Sequence, residues 1–367
     1  MKIKTSILGS TGSIGSTTLN IIDKKPNIFS INLLSAKKNM RLIVKQIKKY
    51  KPKIFNKFEK KNLLATDLTI SSIPGIEGLE PTLLMTPKSK KILIANKESI
   101  ICGWSLIKDS AKKNNTKIIP IDSEHFSIFK LLENHSIKEI NKVFLTASGG
   151  PFLHFKPRQL KSITPANALK HPKWKMGKKI TIDSSTLMNK MLEIVEAQKL
   201  FDIPLSKLDV IIHPNSLVHA IIELKNGLYK FIYHETSMII PISNAIFEKN
   251  LDIQDFFKKK KKANEPFIES LQFLKVNTKI FPIYKLKKRF NEYYSTPIII
   301  NAANELLIDL FLKKKINYLA ISRTIMKIMK DRNYRKYAIR KASNLHEIKL
   351  IDKWAKKTIM EKLNGYV

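Results

Sequence analysis

The sequence predicts an α/β fold that opens on a Rossmann-type domain and closes on helices. Three observations carry this. An apolar stretch, Ile3 to Leu8, runs straight into Gly9-Ser10-Thr11-Gly12-Ser13-Ile14-Gly15 and then a helical pattern through Leu19, Ile21 and Ile22. A second apolar run, Ile118-Ile119-Pro120-Ile121, ends abruptly in Asp122-Ser123-Glu124-His125. From about Tyr284 onward the periodicity is helical.

A chain of 367 residues has room for two or three domains with real cores, and 43% apolar content is ordinary for a folded protein. No run reaches the eighteen or so apolar residues that a membrane span requires. The strand pattern begins by Ile3, so no targeting peptide is expected, and the single Cys102 suits a reducing cytosol. A cytoplasmic protein with no membrane partner is the expectation. The formal charge of +37 invites a nucleic-acid reading. That reading lacks support, because the lysines are spread along the chain and no nucleic-acid-binding module accompanies them. No specific nucleic-acid partner is expected.

Taken in order, the first strand and its glycine-rich turn form a variant G-x-x-G-x-x-G fingerprint. Such a turn lets backbone N–H groups approach a phosphate at a helix N-terminus. The next strand is expected over Ile28 to Ser35. NAD-preferring folds place an acid near its end; here Ser35-Ala36-Lys37-Lys38-Asn39 offers two cations, which favours the 2′-phosphate of NADPH. Leu42, Ile43, Ile47 and Tyr50 suit a helix, and Ile70 to Gly75 reads as a strand ending in a turn. Ile92 to Ala95 is a short buried strand, followed by the polar Asn96-Lys97-Glu98-Ser99, a site or a helix start.

At the next strand end, Asp122 and Glu124 point the same way if the backbone is extended, and paired carboxylates favour a hard divalent cation. The plainer alternative is that Asp122 or Ser123 caps the following helix. Lys142 to Thr146 is a strand entering Ala147-Ser148-Gly149-Gly150-Pro151, a stretch able to form an anion nest. His171 to Gly177 suits a lid. Asp183-Ser184-Ser185 is expected to cap a helix in which Asn189 and Glu193 share a face beside Lys190. Val210 to Ser216 and Gly227 to Tyr233 read as strands joined at Asn226-Gly227, residues 249 to 266 as a Lys-rich linker, and Asn301 to Glu305 as the opening of an apolar helix.

These motifs occur together and in one order: Gly9 to Gly15, Ala95 to Ser99, Asp122 to His125, Ser148 to Phe152, His171 to Gly177, Met188-Asn189-Lys190, Glu193 and Asn301 to Glu305. In this the chain resembles the 1-deoxy-D-xylulose-5-phosphate reductoisomerase family over nearly its whole length. The resemblance implies an NADP-dependent oxidoreductase that rearranges and reduces 1-deoxy-D-xylulose 5-phosphate to 2-C-methyl-D-erythritol 4-phosphate in the non-mevalonate isoprenoid pathway. It implies NADPH, a divalent metal (Mg²⁺, Mn²⁺ or Co²⁺) and a homodimer. It also implies an NADPH-binding domain over 1–121, shortened around 51–90, and a catalytic and metal-binding domain over 122–248 with a lid at 171–177. A linker over 249–282 and a helical domain over 283–367 complete the chain.

By position, Asp122, Glu124 and Glu193 resemble the metal ligands, and Lys97 the active-site lysine. Ser123, Ser148, His171, Trp174, Ser184, Asn189 and Lys190 resemble the substrate-binding set. Thr11, Gly12, Ser13, Ile14, Lys38, Asn39, Asn96, Glu98 and Gly177 resemble the cofactor-binding positions. Lys37, Ala147 and Met191 stand where the family commonly has Gly. Two other readings compete: a homoserine-dehydrogenase-like NADPH oxidoreductase, which needs neither three metal carboxylates nor a Trp lid, and a basic nucleic-acid-binding protein.

Overall fold

The computed structural model describes residues 1–56, 60–174, 176–249, 251–257 and 271–364. The lysine block 258–262, Pro266 and Lys175 therefore lie outside the described residues. The chain divides into two compact units. The first takes Met1–Ser99, Trp104–Glu133 and His234–Leu271; the second takes Ile100–Gly103, Asn134–Tyr233 and Gln272–Val367.

In chain order the regular elements are β1 (Ile3–Leu8), α1 (Ser13–Lys24), β2 (Phe29–Leu34), α2 (Met40–Tyr50), β3 (Ile54–Phe55), β4 (Thr66–Ser71), α3 (Leu79–Met85), β5 (Ser89–Ile94), α4 (Lys97–Lys113), β6 (Lys117–Pro120) and α5 (Ser123–Leu132). Then come β7 (Ile140–Ala147), α6 (Pro165–Ala168), α7 (Lys178–Thr186), α8 (Met188–Phe201), β8 (Leu208–Ile212), β9 (Val218–Leu224), β10 (Tyr229–Tyr233) and α9 (Ile239–Phe247). The helices α10 (Thr296–Leu312), α11 (Tyr318–Ile328), α12 (Tyr334–Ala338) and α13 (Leu345–Asn364) follow.

Among the described residues, the first unit holds a six-stranded parallel sheet in the order β3-β2-β1-β4-β5-β6. This is the Rossmann order, with its reversal between β1 and β4, and the expected α/β class stands. Runs such as Ile92-Leu93-Ile94 are apolar on consecutive positions because helices cover both faces of the sheet. The shortened 51–90 stretch still delivers β3, β4 and α3, although β3 is only two residues long.

Helix α9 and the turn after it also belong to this unit. Ile242, Ala245, Ile246 and Phe256 are buried in one cluster with Ile7, Leu19 and Leu93, and Phe247 meets Phe29 edge-on at 6.0 Å. Each buried Ile or Phe here contributes about 1.5–3 kcal/mol before conformational entropy is deducted. Lys91 Nζ then donates to the carbonyls of Ala245 and Ile246, both at 3.1 Å, tying the end of α9 to β5.

The second unit holds a mixed sheet in the order β10-β9-β7-β8. The turn at Asn226-Gly227 joins β9 to β10, so the expected pairing of Val210–Ser216 with Gly227–Tyr233 is corrected. His213-Pro214-Asn215-Ser216 ends β8 after Ile212, and Val218–Leu224 forms the strand between. Two further expectations change. Asp183, Ser184 and Ser185 lie inside α7, and the break before α8 is Leu187, buried at a left-handed φ of +68°. Helix α10 starts at Thr296, with Pro297 in its first turn, so Asn301 and Asn304 are buried in its interior. Asn304 Nδ2 donates to Asp183 Oδ1 at 2.7 Å and the Tyr318 hydroxyl to the Ser185 carbonyl at 2.6 Å, so α10 and α11 brace α7. No helix among the described residues is long and apolar enough to cross a membrane.

Candidate active site

The glycine-rich turn leaves β1 at the point where the strand order reverses. Its shape demands glycine: Gly9 sits at φ +86°, and a Cβ on Gly15 would lie 2.4 Å from the Gly9 carbonyl oxygen and 2.5 Å from Ser10 Cα. The turn is held from outside. Ser10 Oγ donates to Gln46 Oε1 at 2.7 Å, Gln46 Nε2 returns to the Ser10 carbonyl at 3.0 Å, and Gly9 N–H donates to Ser35 Oγ at 3.0 Å. Helix α1 begins after Gly12 with no side-chain cap and no acid in its first turn. Its positive dipole end and the exposed Gly12 and Ser13, flanked by Thr11 and Ile14, suit a phosphate.

Asn39 Oδ1 caps α2 by accepting Leu42 N–H at 3.1 Å, and Lys38 is exposed beside it. Asn96 both caps α4, accepting Ser99 N–H at 2.7 Å, and ties in the loop after β4. Its Nδ2 donates to Ile73 O (2.7 Å), Gly75 O (3.1 Å) and the buried Glu98 (3.0 Å). The helix-start reading of this stretch holds, with Asn96 as the cap of α4.

Lys97, buried in the first turn of α4, donates to Asp122 Oδ2 at 2.7 Å. Asp122 occupies the N-cap position of α5, yet its side chain makes no capping hydrogen bond. The plain capping alternative fails because the carboxylate is turned to Lys97 and, at 3.5 Å, to His125 Nδ1. The expected alternation of Asp122 and Glu124 is also corrected. The helix starts at Ser123, so Glu124 is helical, and Ser123 Oγ donates to its Oε2 at 2.6 Å. The carboxylate oxygens of Asp122 and Glu124 are hard donors of the kind a divalent cation takes, and the Lys97 ammonium balances part of their charge.

In the second unit, β7 ends in Ala147 and the loop carries Ser148 to His171. Ser148 Oγ lies 3.0 Å and Ser184 Oγ 3.1 Å from His171 Nε2. His171 Nδ1 accepts the backbone N–H groups of Trp174 (2.8 Å) and Lys173 (3.2 Å), so the neutral ring carries its proton on Nε2, facing the two hydroxyls. Burial, reinforced by the nearby Lys190 ammonium, pushes the His171 pKa down to about 4, so the ring is neutral at neutral pH. Gly150 N–H donates to Ser148 Oγ at 3.1 Å.

On α8 the one-face spacing holds. Asn189 Nδ2 donates to Glu193 Oε1 and Lys190 Nζ to Oε2 at 2.6 Å, with Glu193 fully buried. Hydroxyls, an imidazole N–H and an ammonium are groups of the kind that can receive a phosphate-sized anion. Trp174 packs edge-on against His219 at 6.0 Å, and Gly177 starts α7 with nothing near its α-carbon that forbids a side chain. Sequence reading missed His219, buried on β9, because that strand was not recognised. It also left His125 and Gln46 outside the site.

Three sequence profiles match the chain. The 1-deoxy-D-xylulose 5-phosphate reductoisomerase profile covers residues 5–65 and 59–103, and two C-terminal-domain profiles of the same enzyme cover 118–201 and 234–358. The reductoisomerase of Pelagibacter ubique (strain HTCC1062) is 40% identical over 94% of this chain and 95% of its own. That of Sulfurihydrogenibium sp. (strain YO3AOP1) is 39% identical over 91% and 92%. Among solved structures, a reductoisomerase in complex with NADPH, fosmidomycin and magnesium superimposes with a TM-score of 0.87 at 29% identity, covering 99% of this chain and 98% of that one. The Zymomonas mobilis enzyme in complex with NADPH gives 0.85 at 27% identity, covering 99% of each.

Proposed function

Because the chain belongs to the 1-deoxy-D-xylulose 5-phosphate reductoisomerase family, we propose that Asp122, Glu124 and Glu193 hold its divalent metal and that Lys97 attends the reacting hydroxyls. The protein converts 1-deoxy-D-xylulose 5-phosphate to 2-C-methyl-D-erythritol 4-phosphate with NADPH and a divalent metal, in isoprenoid biosynthesis. When bound, the metal supplies Lewis acidity for negative charge on oxygen and NADPH supplies the hydride.

This chain's own residues do the rest. Ser148, His171, Ser184, Asn189 and Lys190 grip the remote phosphate, and that binding energy positions the reacting end. Neutral His171 donates from Nε2 without adding a charge that would need solvation. Lys97, already ion-paired with Asp122, holds a proton on Nζ beside the carboxylate oxygens. Ser123 steadies Glu124 through its hydroxyl. Trp174, with the 171–177 segment, covers the substrate and excludes water. Thr11, Gly12, Ser13, Ile14, Lys38, Asn39, Asn96, Glu98 and Gly177 receive the cofactor.

The observation that carries the phosphate assignment is the Ser148–His171–Ser184 hydroxyl–imidazole–hydroxyl chain. A homodimer is part of the proposal. Strand β10 is a sheet edge, and Leu228 just before it and Tyr229 and Phe231 on it are 56%, 59% and 44% exposed, an apolar edge that calls for a partner. Cytoplasmic residence agrees with the single buried Cys102. The test is NADPH oxidation with 1-deoxy-D-xylulose 5-phosphate and Mg²⁺. Glu124→Gln abolishes turnover while NADPH still binds; full turnover by that variant refutes the metal assignment.

A further inference from the structure

Lys37 and Glu77 form a two-pronged ion pair, with Nζ 2.7 Å from Oε1 and 2.8 Å from Oε2. Lys37 follows β2, and Glu77 lies in the short 3₁₀ turn Ile76–Gly78 that follows β4. Those strands flank β1 on either side, so the pair links the two loops that border the glycine-rich turn. The Glu77 loop is itself anchored, since Asn96 Nδ2 binds the Ile73 and Gly75 carbonyls. In Rossmann domains the acid that reads a ribose 2′-hydroxyl stands at the end of the second strand, and a cation there accommodates a 2′-phosphate. Here two cations, Lys37 and Lys38, follow β2, while a carboxylate arrives from the opposite loop and is matched against Lys37.

We propose that Glu77 and Lys37 together set the NADPH-versus-NADH preference of this protein: Glu77 holds Lys37 while the site is empty and yields it to the 2′-phosphate. This rests on the NADPH reading above. Both side chains are largely exposed, 61% for Glu77 and 73% for Lys37, so the pair is weak enough to exchange. Two substitutions then act in opposite directions. Glu77→Gln frees the ammonium and removes a charge that repels the phosphate, tightening NADPH with little change in NADH. Lys37→Gly removes one of the two cations at this strand end, leaving Lys38, and frees a carboxylate able to accept a ribose hydroxyl, weakening NADPH and strengthening NADH.

The experiment is equilibrium titration of each nucleotide by its fluorescence and by calorimetry, on the full chain, for wild type, both single variants and the double variant. Each single substitution is expected to move the NADPH:NADH affinity ratio about two- to fivefold, in opposite senses. The double variant should differ from the product of the two single effects, and the changes should shrink as salt is raised toward 1 M. Ratios that stay at the wild-type value, or that move in the same sense, overturn the proposal. Wild-type protein that binds no NADPH overturns the cofactor reading and the proposal with it, a result distinct from NADPH binding with an unchanged ratio.

Discussion

Leu187 offers a test in which the usual lead of alanine over glycine disappears. It joins α7 to α8 at φ +68° and is 1% exposed, with its N–H donating to the Ser184 carbonyl at 3.1 Å. Leu187→Ala removes the buried isopropyl end of the side chain, which costs about 2–5 kcal/mol, and Leu187→Gly removes one further buried carbon, about 0.8 kcal/mol more. They also differ in the backbone. Alanine at a left-handed φ crowds its Cβ against the following carbonyl, at about 1–2 kcal/mol, whereas glycine escapes that. Glycine's greater freedom in the unfolded chain takes back about 0.5–1 kcal/mol. With the extra buried carbon counted, the two variants fall within about 1 kcal/mol of each other, whereas at a helical φ alanine would lead glycine by about 1–2 kcal/mol. Urea unfolding followed by far-UV circular dichroism reads the difference, provided the slopes of the two transitions agree. An alanine variant more stable than the glycine variant by well over about 1 kcal/mol refutes the strain argument.

Three further outcomes follow from the site. The His171 pKa lies near 4 when folded and at its ordinary 6.5 when unfolded, so its contribution to stability is complete above about pH 6.5 and is lost as pH falls toward 4. After allowance for partial solvent access, this amounts to about 1–2 kcal/mol; in unfolding titrations across that window, His171→Gln should flatten the slope, and an unchanged slope refutes the assignment. Gly15→Ala forces a Cβ onto backbone atoms of the turn, a strain of about 1–3 kcal/mol, and should weaken NADPH binding about tenfold in a fluorescence titration; wild-type affinity would show that the turn is not the receptor. Leu228→Asp just before β10 with Phe231→Asp on it should yield monomers in sedimentation equilibrium, and a persistent dimer would place the interface elsewhere.

What was legible in the sequence follows from the range of the interactions involved. β1, its turn and α1 could be read because strand, glycine bend and helix are local and contiguous. So could the α8 face, where a four-residue spacing fixes the Asn189–Glu193 bond. The expectation that Asp183 to Ser185 form a cap failed because a buried Leu, not a polar residue, breaks the helix, and no propensity scale puts Leu at a left-handed φ. β9 escaped notice because it is nearly continuous in burial, without the alternation that marks a half-exposed strand. Asp122 was ambiguous by pattern alone, since N-cap and ligand draw on the same residue type. Its choice of Lys97 depends on a partner 25 residues away. The Gln46 and Lys37 contacts are of the same kind, visible only once β1, β2 and β4 lie side by side.

The return of α9 to the first unit bears on how this protein is made. The cluster that covers α1 and β5 draws on Ile242, Ala245 and Ile246, and Lys91 bonds to carbonyls 154 and 155 residues further along. On the ribosome, the six strands emerge long before the helix that completes their cover, with residues 134–233 in between. At about 5–20 residues per second, that interval is roughly 5–20 s. During it, the nascent nucleotide-binding half exposes apolar surface around Ile7, Leu19 and Leu93, with the long-range closure that slows folding still ahead. A fragment ending at residue 133 carries the whole glycine-rich apparatus but lacks this cover, so the motif and the fold that sustains it are translated at different times.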